Sequence, residues 1–267
     1  MTITFIGGGN MARAIIGGLI DKGHPVGDLA VADPSEPARQ ECHHRFGVTV
    51  SASLEQSSRA DDLLVLAVKP QLIRGVCESL AHQVGQALIV SVAAGARINN
   101  LSTWLGGHRR IARAMPNTPA LIGMGVAGLV AAPDVNLADR ARVEALLRSV
   151  GEAVWFDQEN DLDAVTALSG SGPAYVFRWI EAMQAAAAQL GLPADKAATL
   201  VLHTMRGAAE LALRSDLPIS TLRTQVTSPG GTTAAGLSAM EEGQIEQVIG
   251  NGVRAAHARS IELGRIG

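Results

Sequence analysis

The stretch Thr2–Ala12, reading Thr-Ile-Thr-Phe-Ile-Gly-Gly-Gly-Asn-Met-Ala, limits the possible folds of this chain more than any other. Thr2 to Ile6 is short, apolar and β-branched, which predicts a buried parallel strand. Gly7, Gly9 and Ala12 then fit the pattern G-x-G-x-x-G/A at a turn into a helix over about Asn10–Asp21. Gly7 makes the tight turn, Gly9 lets a pyrophosphate touch the backbone, and Ala12 lets the helix pack close to the strand. Unpaired N–H groups at the helix start face the phosphates, and the helix dipole adds to the attraction. A lone glycine-rich turn is weak evidence. Here a second strand, Leu29–Ala32, ends at Asp33, 24 positions beyond Gly9 and close to the ~20 expected of a ribose-binding acid. The combination predicts a dinucleotide site, and an ordinary strand–turn–helix without a ligand is the weaker reading.

The pattern continues along the chain. Helix-like stretches at Glu36–Phe46 and Ser53–Ala60 flank a short strand at Gly47–Val50. Leu63–Val68, Ala87–Val92 and Arg110–Met115 read as further buried strands, with a helix from about Gln71 to His82. Two more strand-like pieces, Gly125–Val130 and Ala153–Phe156, flank a helix near Leu137–Val150. This alternation predicts an open parallel sheet with helices on both faces, whose ligands lie beyond the carboxyl ends of the strands. That rule gathers Gly7–Met11, Ala67–Pro70, Ala93–Gly95 and Pro116–Pro119 on one edge. Past Asp157 the composition turns to Ala, Leu, Met, Glu and Gln at helical spacing. Helices are expected at about 160–190 (broken near Ser169–Pro173), 193–214, 230–241 and 244–264. The expected fold class is α/β: a dinucleotide-binding domain at 1–158, then an all-helical dimerisation and substrate domain at 159–267.

A chain of 267 residues can bury a substantial core. Its net charge of −3 is spread evenly and leaves no basic excess, so neither nucleic acid nor an anionic membrane is an expected partner. Cys42 and Cys77 match no metal spacing and read as free thiols in a reducing compartment, with no metal expected. No apolar run reaches membrane length, and the first strand leaves no space for a signal peptide. A cytoplasmic protein is the expectation.

In the second half, Val226–Thr233 is the most informative segment. Ser228 before Pro229 reads as an N-cap and first-turn pair. Gly230 and Gly231 would each weaken a helix by roughly 1 kcal/mol relative to alanine, which suggests a backbone kept bare for an anion. Thr232 and Thr233 add hydroxyls, giving a carboxylate pocket, and a plain helix cap with a flexible lead-in is the alternative. Scarcity is a second clue. The only lysines are Lys22, Lys69 and Lys196, and none lies in 160–190, where many hydroxy-acid dehydrogenases of similar architecture carry a catalytic lysine. An alcohol needs a base as hydride leaves, whereas a protonated imine already accepts hydride well. The absence favours C=N reduction over alcohol oxidation. A non-catalytic dinucleotide sensor has no need of the second pocket. His43 and His44 read as solvated, Arg109–Arg110 as a charged strand entrance, and Trp104, Trp155 and Trp179 as packing anchors.

Phe5–Ala12, Ala67–Pro70, Ala93–Gly95, Met115–Pro119, Leu168–Tyr175 and Ser228–Thr233 together resemble the pyrroline-5-carboxylate reductases, in order and register along nearly the whole chain. The resemblance implies a Rossmann-type first domain and NAD(P)H held by Ile6, Gly7, Gly8, Gly9, Asn10 and Met11. Ala67, Val68, Lys69, Pro70, Ala93, Ala94 and Gly95 would join them, with Asn117 near the nicotinamide. It implies substrate contacts from Glu159, Gln225, Ser228, Thr232 and Thr233 and from the backbone at Gly230 and Gly231. Thr233 is the candidate catalytic residue, placed to touch the ring, and no catalytic acid stands out. The substrate would be a cyclic imine carboxylate reduced to L-proline, the last step of proline synthesis. Gln225 stands where the family often has asparagine. Ala32-Asp33-Pro34-Ser35 replaces the usual Ser-rich or Asn-Arg loop. Asp33 suits the ribose hydroxyls of NADH, while Ser35 and Arg39 suit a 2′-phosphate. NADP(H) is expected to be preferred, with NAD(H) accepted at lower efficiency. A homodimer, or a ring of dimers, is implied as well, with the Ser228–Thr233 pocket of one subunit facing the nicotinamide of its partner.

Overall fold

The computed structural model describes residues 1–266. The chain forms two compact units: Met1–Ser171 together with the final stretch from Ala255, and Gly172–Arg254.

The first unit is built on eight strands: β1 (Ile3–Ile6), β2 (Leu29–Ala32), β3 (Thr49–Ser51), β4 (Leu63–Leu66), β5 (Leu88–Ser91), β6 (Ile111–Met115), β7 (Gly125–Ala131) and β8 (Gly151–Trp155). Their order is β3-β2-β1-β4-β5-β6-β7-β8. The chain winds outward from β1 in one direction, then returns to place β4 on its other side. The crevice at that reversal is where ligands bind in open α/β sheets. Every residue of β4 and β5 is buried. Leu63, Val65, Leu88 and Val90 join one apolar cluster, whereas Leu64, Leu66 and Ile89 join the other. Alternate side chains thus enter two cores, one on each face, which is why these strands read as unbroken apolar runs. Helices α1 (Asn10–Asp21) and α2 (Glu36–Phe46) are followed by α3 (Ile73–Leu80), α4 (Ile98–Trp104) and α5 (Leu137–Arg148). Ile15 and Ile16 of α1 and Leu146 of α5 pack into the first core; Ile73 and Cys77 of α3 and Leu101 of α4 pack into the second.

Two expectations are corrected here. The sheet is mixed, because β6 and β7 pair antiparallel. Only a short 3₁₀ connection, Thr118–Ile122, lies between them, too little chain for the crossover that a parallel pair requires. Residues 53–60 form no helix. The Ser58 N–H donates to Gln83 O, and the Arg59 N–H donates to the Asp62 carboxylate; these non-helical partners hold the serine-rich segment as an irregular strap. Helix α4, only seven residues long, is not announced by any periodicity in the sequence.

The strand entrance at Arg110 is firmly tied. Its guanidinium donates twice to Asp139, at 2.7 and 2.6 Å, and also to the carbonyls of Ala60 and Gln86. After β8 come α6 (Asp161–Val165) and a wider π-type turn, Thr166–Gly170, at the expected helix break. The second unit holds α7 (Gly172–Gln189), α8 (Ala194–Leu213), α9 (Ile219–Gln225) and α10 (Thr232–Glu242). Helix α11 (Ile245–Ile266) begins in the second unit, and its residues from Ala255 belong to the first. Helix α9, likewise seven residues long, is a second element without a sequence signature. No helix among the described residues is long and apolar enough to cross a membrane.

Candidate active site

The parallel strands deliver their loops to one edge in register. Ile6 pairs with Leu66, and Leu66 with Ser91. The first residues beyond the strands continue the ladder: Gly7 N–H donates to Ala32 O, Ala67 N–H to Ile6 O, and Val92 N–H to Leu66 O. Gly7–Met11, Ala67–Pro70 and Ala93–Gly95 therefore emerge side by side, as the sheet rule anticipates.

Gly7 has φ of +102°, and a Cβ there would lie 2.8 Å from Ala67 O, so both its conformation and its neighbour exclude a side chain. Gly8 is tight as well, for a Cβ there would lie 3.1 Å from Cys42 Sγ and 3.3 Å from Val31 Cγ1. Gly9 differs, for a Cβ on it would meet nothing nearer than Ala67 O at 4.0 Å. It is exposed and caps α1 with no side-chain hydrogen bond. The space over Gly9 and the bare N–H groups of the first turn form a cradle suited to phosphate. Burial pushes the Cys42 thiol up from its ordinary range, and its Sγ donates weakly to Gly8 O.

Asp33 binds the backbone on both sides of its loop. Its Oδ2 accepts from Gly8 N–H and its Oδ1 from Ser35 N–H, both at 2.8 Å. One carboxylate thereby joins the glycine turn to the loop after β2. Arg39 closes that loop by donating from one guanidinium nitrogen to the carbonyls of Asp33 and Pro34. Ser35 is exposed at the start of α2, and Lys69 is exposed beyond β4.

Two candidate site residues, Glu159 and Asn117, carry partners that sequence spacing does not reveal. Glu159 Oε1 accepts from Arg113 at 2.6 Å and from the Ile98 N–H at 2.7 Å. It neutralises a buried arginine and caps α4, just beyond Ala93–Gly95. The arginine inside Ile111-Ala-Arg113-Ala-Met115 was the available signal, because a charge within a buried strand must find a partner. Asn117 Oδ1 accepts from Val126 N–H, and its Nδ2 donates to Ser169 O.

In the second unit, α10 starts at Thr232 with Gly231 as N-cap and no side-chain cap bond. This corrects the expectation that Ser228 and Pro229 open the helix. Ser228–Gly231 form a turn closed by Gly231 N–H donating to Ser228 O, and Gly230 has φ of +70°. The left-handed residue prevents a helix from running through, and a Cβ on Gly231 would collide with Ser228 Oγ. The consequence expected of the glycines survives: the helix start is bare, with Gln225, Ser228, Gly230, Thr232 and Thr233 exposed around it. No cluster of His, Cys, Asp and Glu suited to a metal occurs among the described residues.

Comparison with known proteins places this geometry. The family profile described as pyrroline-5-carboxylate reductase dimerisation matches residues 159–263, and that of NADP oxidoreductase, coenzyme F420-dependent, matches 2–95. The pyrroline-5-carboxylate reductase of Pseudomonas aeruginosa is 42% identical over 98% of this chain and 96% of its own length. The solved structure of a pyrroline-5-carboxylate reductase from Coxiella burnetii superposes with a TM-score of 0.92 at 38% identity, covering 98% of each chain. A Plasmodium falciparum pyrroline carboxylate reductase, solved with NADP bound, gives 0.85 at 30% identity over 99% of this chain and 98% of its own. With a common fold and 42% identity to one such reductase over 98% of its length, the chain belongs to the pyrroline-5-carboxylate reductase family.

Proposed function

We propose that this protein reduces 1-pyrroline-5-carboxylate to L-proline, preferring NADPH and accepting NADH less well. The observation that carries the reading is the bare α1 start at Gly9, open above and without a side-chain cap, in a chain so similar to reductases of that name. The dinucleotide, when bound, supplies a hydride to the C5=N carbon. Ile6–Met11, Ala67–Pro70, Ala93–Gly95 and Asn117 form its site, with Asp33, Ser35 and Arg39 around the ribose. The first-turn N–H groups of α10, with Thr232 and Thr233, hold the carboxylate, and Gln225, Ser228, Gly230 and Gly231 shape that pocket. Thr233 touches the ring. Glu159 belongs to the site through the Ile98 N–H and Arg113 that it binds. Fixing both reactants removes much of the entropic barrier, and a protonated imine needs no strong acid beside it.

The functional division we propose falls at 158/159, with the cofactor on the first side and dimerisation and substrate on the second. The working form is a cytoplasmic homodimer or a ring of dimers. The discriminating experiment follows NADPH absorbance with 1-pyrroline-5-carboxylate, against NADP⁺ with an equal concentration of a hydroxy acid. Loss of absorbance with the imine alone is expected; turnover of the hydroxy acid alone overturns the reading.

A further inference from the structure

The segment Gly95–Ile98, which leaves the β5 edge, is gripped from two directions within the first unit. From the β8–α6 region, Glu159 accepts the Ile98 N–H at 2.7 Å, Asn160 Oδ1 accepts from Arg97 at 2.7 Å, and Asp163 Oδ2 accepts from Arg97 at 2.8 Å. From the end of α11, Ser260 Oγ donates to the other oxygen of Asp163 at 2.7 Å. Ser260 is only 7% exposed. The backbones also approach. Gly95 has φ of +79°, and a Cβ on it would meet Leu263 O at 3.6 Å; a Cβ on Gly264 would meet Arg97 Nε at 3.2 Å. Arg97 is thus wedged between α6 and the last turns of α11, and Asp163 uses one oxygen for each.

We infer that the Ser260–Gly264 end of α11 is a positioning element for the cofactor site, holding the Ala93–Gly95 loop through Asp163 and Arg97. Arg97 is the N-cap of α4, so its guanidinium anchors the backbone directly after the loop. Loss of the Ser260 hydroxyl leaves a half-buried carboxylate oxygen without its donor, and the Asp163–Arg97 contact relaxes. The loop then samples positions that fit the dinucleotide less well, and affinity falls because the bound geometry is less populated. Ser260 touches neither reactant in this scheme, so its effect falls on cofactor affinity.

The inference rests on the reading that Ala93–Gly95 contacts the dinucleotide, and the test separates the two. NADPH binding is measured by fluorescence in the absence of imine for the parent protein, Ser260→Ala and Gly95→Ala. The KM for imine is measured at saturating NADPH, and thermal melts monitor the fold. Ser260→Ala is expected to weaken NADPH binding about three- to tenfold while the KM for imine stays within about twofold. Gly95→Ala weakens NADPH binding as well. If Gly95→Ala binds weakly and Ser260→Ala binds like the parent, the positioning role is overturned while the loop assignment stands. Unchanged binding by Gly95→Ala overturns both. A Ser260→Ala loss that affects cofactor and imine alike marks a purely structural residue and also overturns the inference. Should Ser260→Ala not accumulate folded, Asp163→Asn, which keeps the side-chain size, enters the same comparison with the same expected split.

Discussion

The Asn117 side chain donates to Ser169 O at 3.1 Å and supplies what the helix cannot. In regular α geometry that carbonyl would accept from residue 173, which is proline and has no N–H. The amide's other end holds the Val126 N–H at 3.0 Å, and Asn117 is 8% exposed. One side chain therefore fixes the β6–β7 connection against the turn at the head of α7. Asn117→Ala leaves a backbone donor and a backbone acceptor without this partner and should cost about 2 kcal/mol. Thermal unfolding followed by circular dichroism checks this, and an unchanged midpoint shows that neither group depends on the amide.

Thr233→Ala tests the substrate pocket. A hydrogen bond to a charged group contributes ~1.5–3 kcal/mol, so kcat/KM for 1-pyrroline-5-carboxylate should fall roughly 10- to 100-fold. NADPH affinity should stay nearly constant. An unchanged kcat/KM removes Thr233 from the site.

Arg39 closes the loop after β2 with one guanidinium nitrogen, leaving the rest of the fork to receive a phosphate. Arg39→Ala should raise KM for NADPH much more than for NADH. Equal rises would show that Arg39 only shapes the loop.

The Asp139 carboxylate is held below its ordinary 3.8, chiefly by hydrogen bonds from Arg110, with burial opposing. A carboxylate depressed in the folded state gives stability that is complete above the unfolded value and lost as pH falls through the folded one. Stability should therefore decline in acid below about pH 4. Asp139→Asn should flatten that limb and cost about 3 kcal/mol at neutral pH, since it removes the negative charge that faces both Arg110 and Arg142. Denaturant midpoints from pH 7 down to pH 3 report both effects; parallel curves for parent and variant would exclude the pair as a source of acid sensitivity.

Phe177, Leu200, Leu213, Ile219 and Val248 in the second unit are all exposed, Phe177 by 61% and Leu213 by 81%. A surface this apolar needs a cover, and pairing of identical units provides one. Light scattering should report at least a dimer at assay concentration. Phe177→Glu should shift the population toward monomer, and a parent protein that is fully active as a monomer would contradict the pairing.

The parts of this molecule written in consecutive residues were legible. β4 and β5 are apolar runs because both faces are buried, and the glycine turn carries its own spacing. The parts decided by distant partners were not. The antiparallel β7 depends on the length of the connection rather than on any pattern within the strand. Helices α4 and α9 are seven residues each, too short for periodicity to declare itself. Ser53–Ala60 has the composition of a short helix, but Gln83 and Asp62 hold its N–H groups elsewhere. Within the candidate site, the tight turn at Gly7, the open space over Gly9 and the bare segment before Thr232 are written in local residues. The bonds from Asp33 to Gly8 and from Glu159 to Arg113 span 25 and 46 positions, and no local rule indicates them.

Ser260 lies 97 positions beyond its partner Asp163, with the entire second unit encoded between them. Domains made on the ribosome usually fold from the N-terminus as they emerge. Here the unit made first receives its closing residues last. Its early form on the ribosome has every strand in hand while Arg97 and Asp163 still await the end of α11. A nascent chain halted at residue 254 would carry every strand of the sheet but not Ser260, so this unit is completed only after the other has been made.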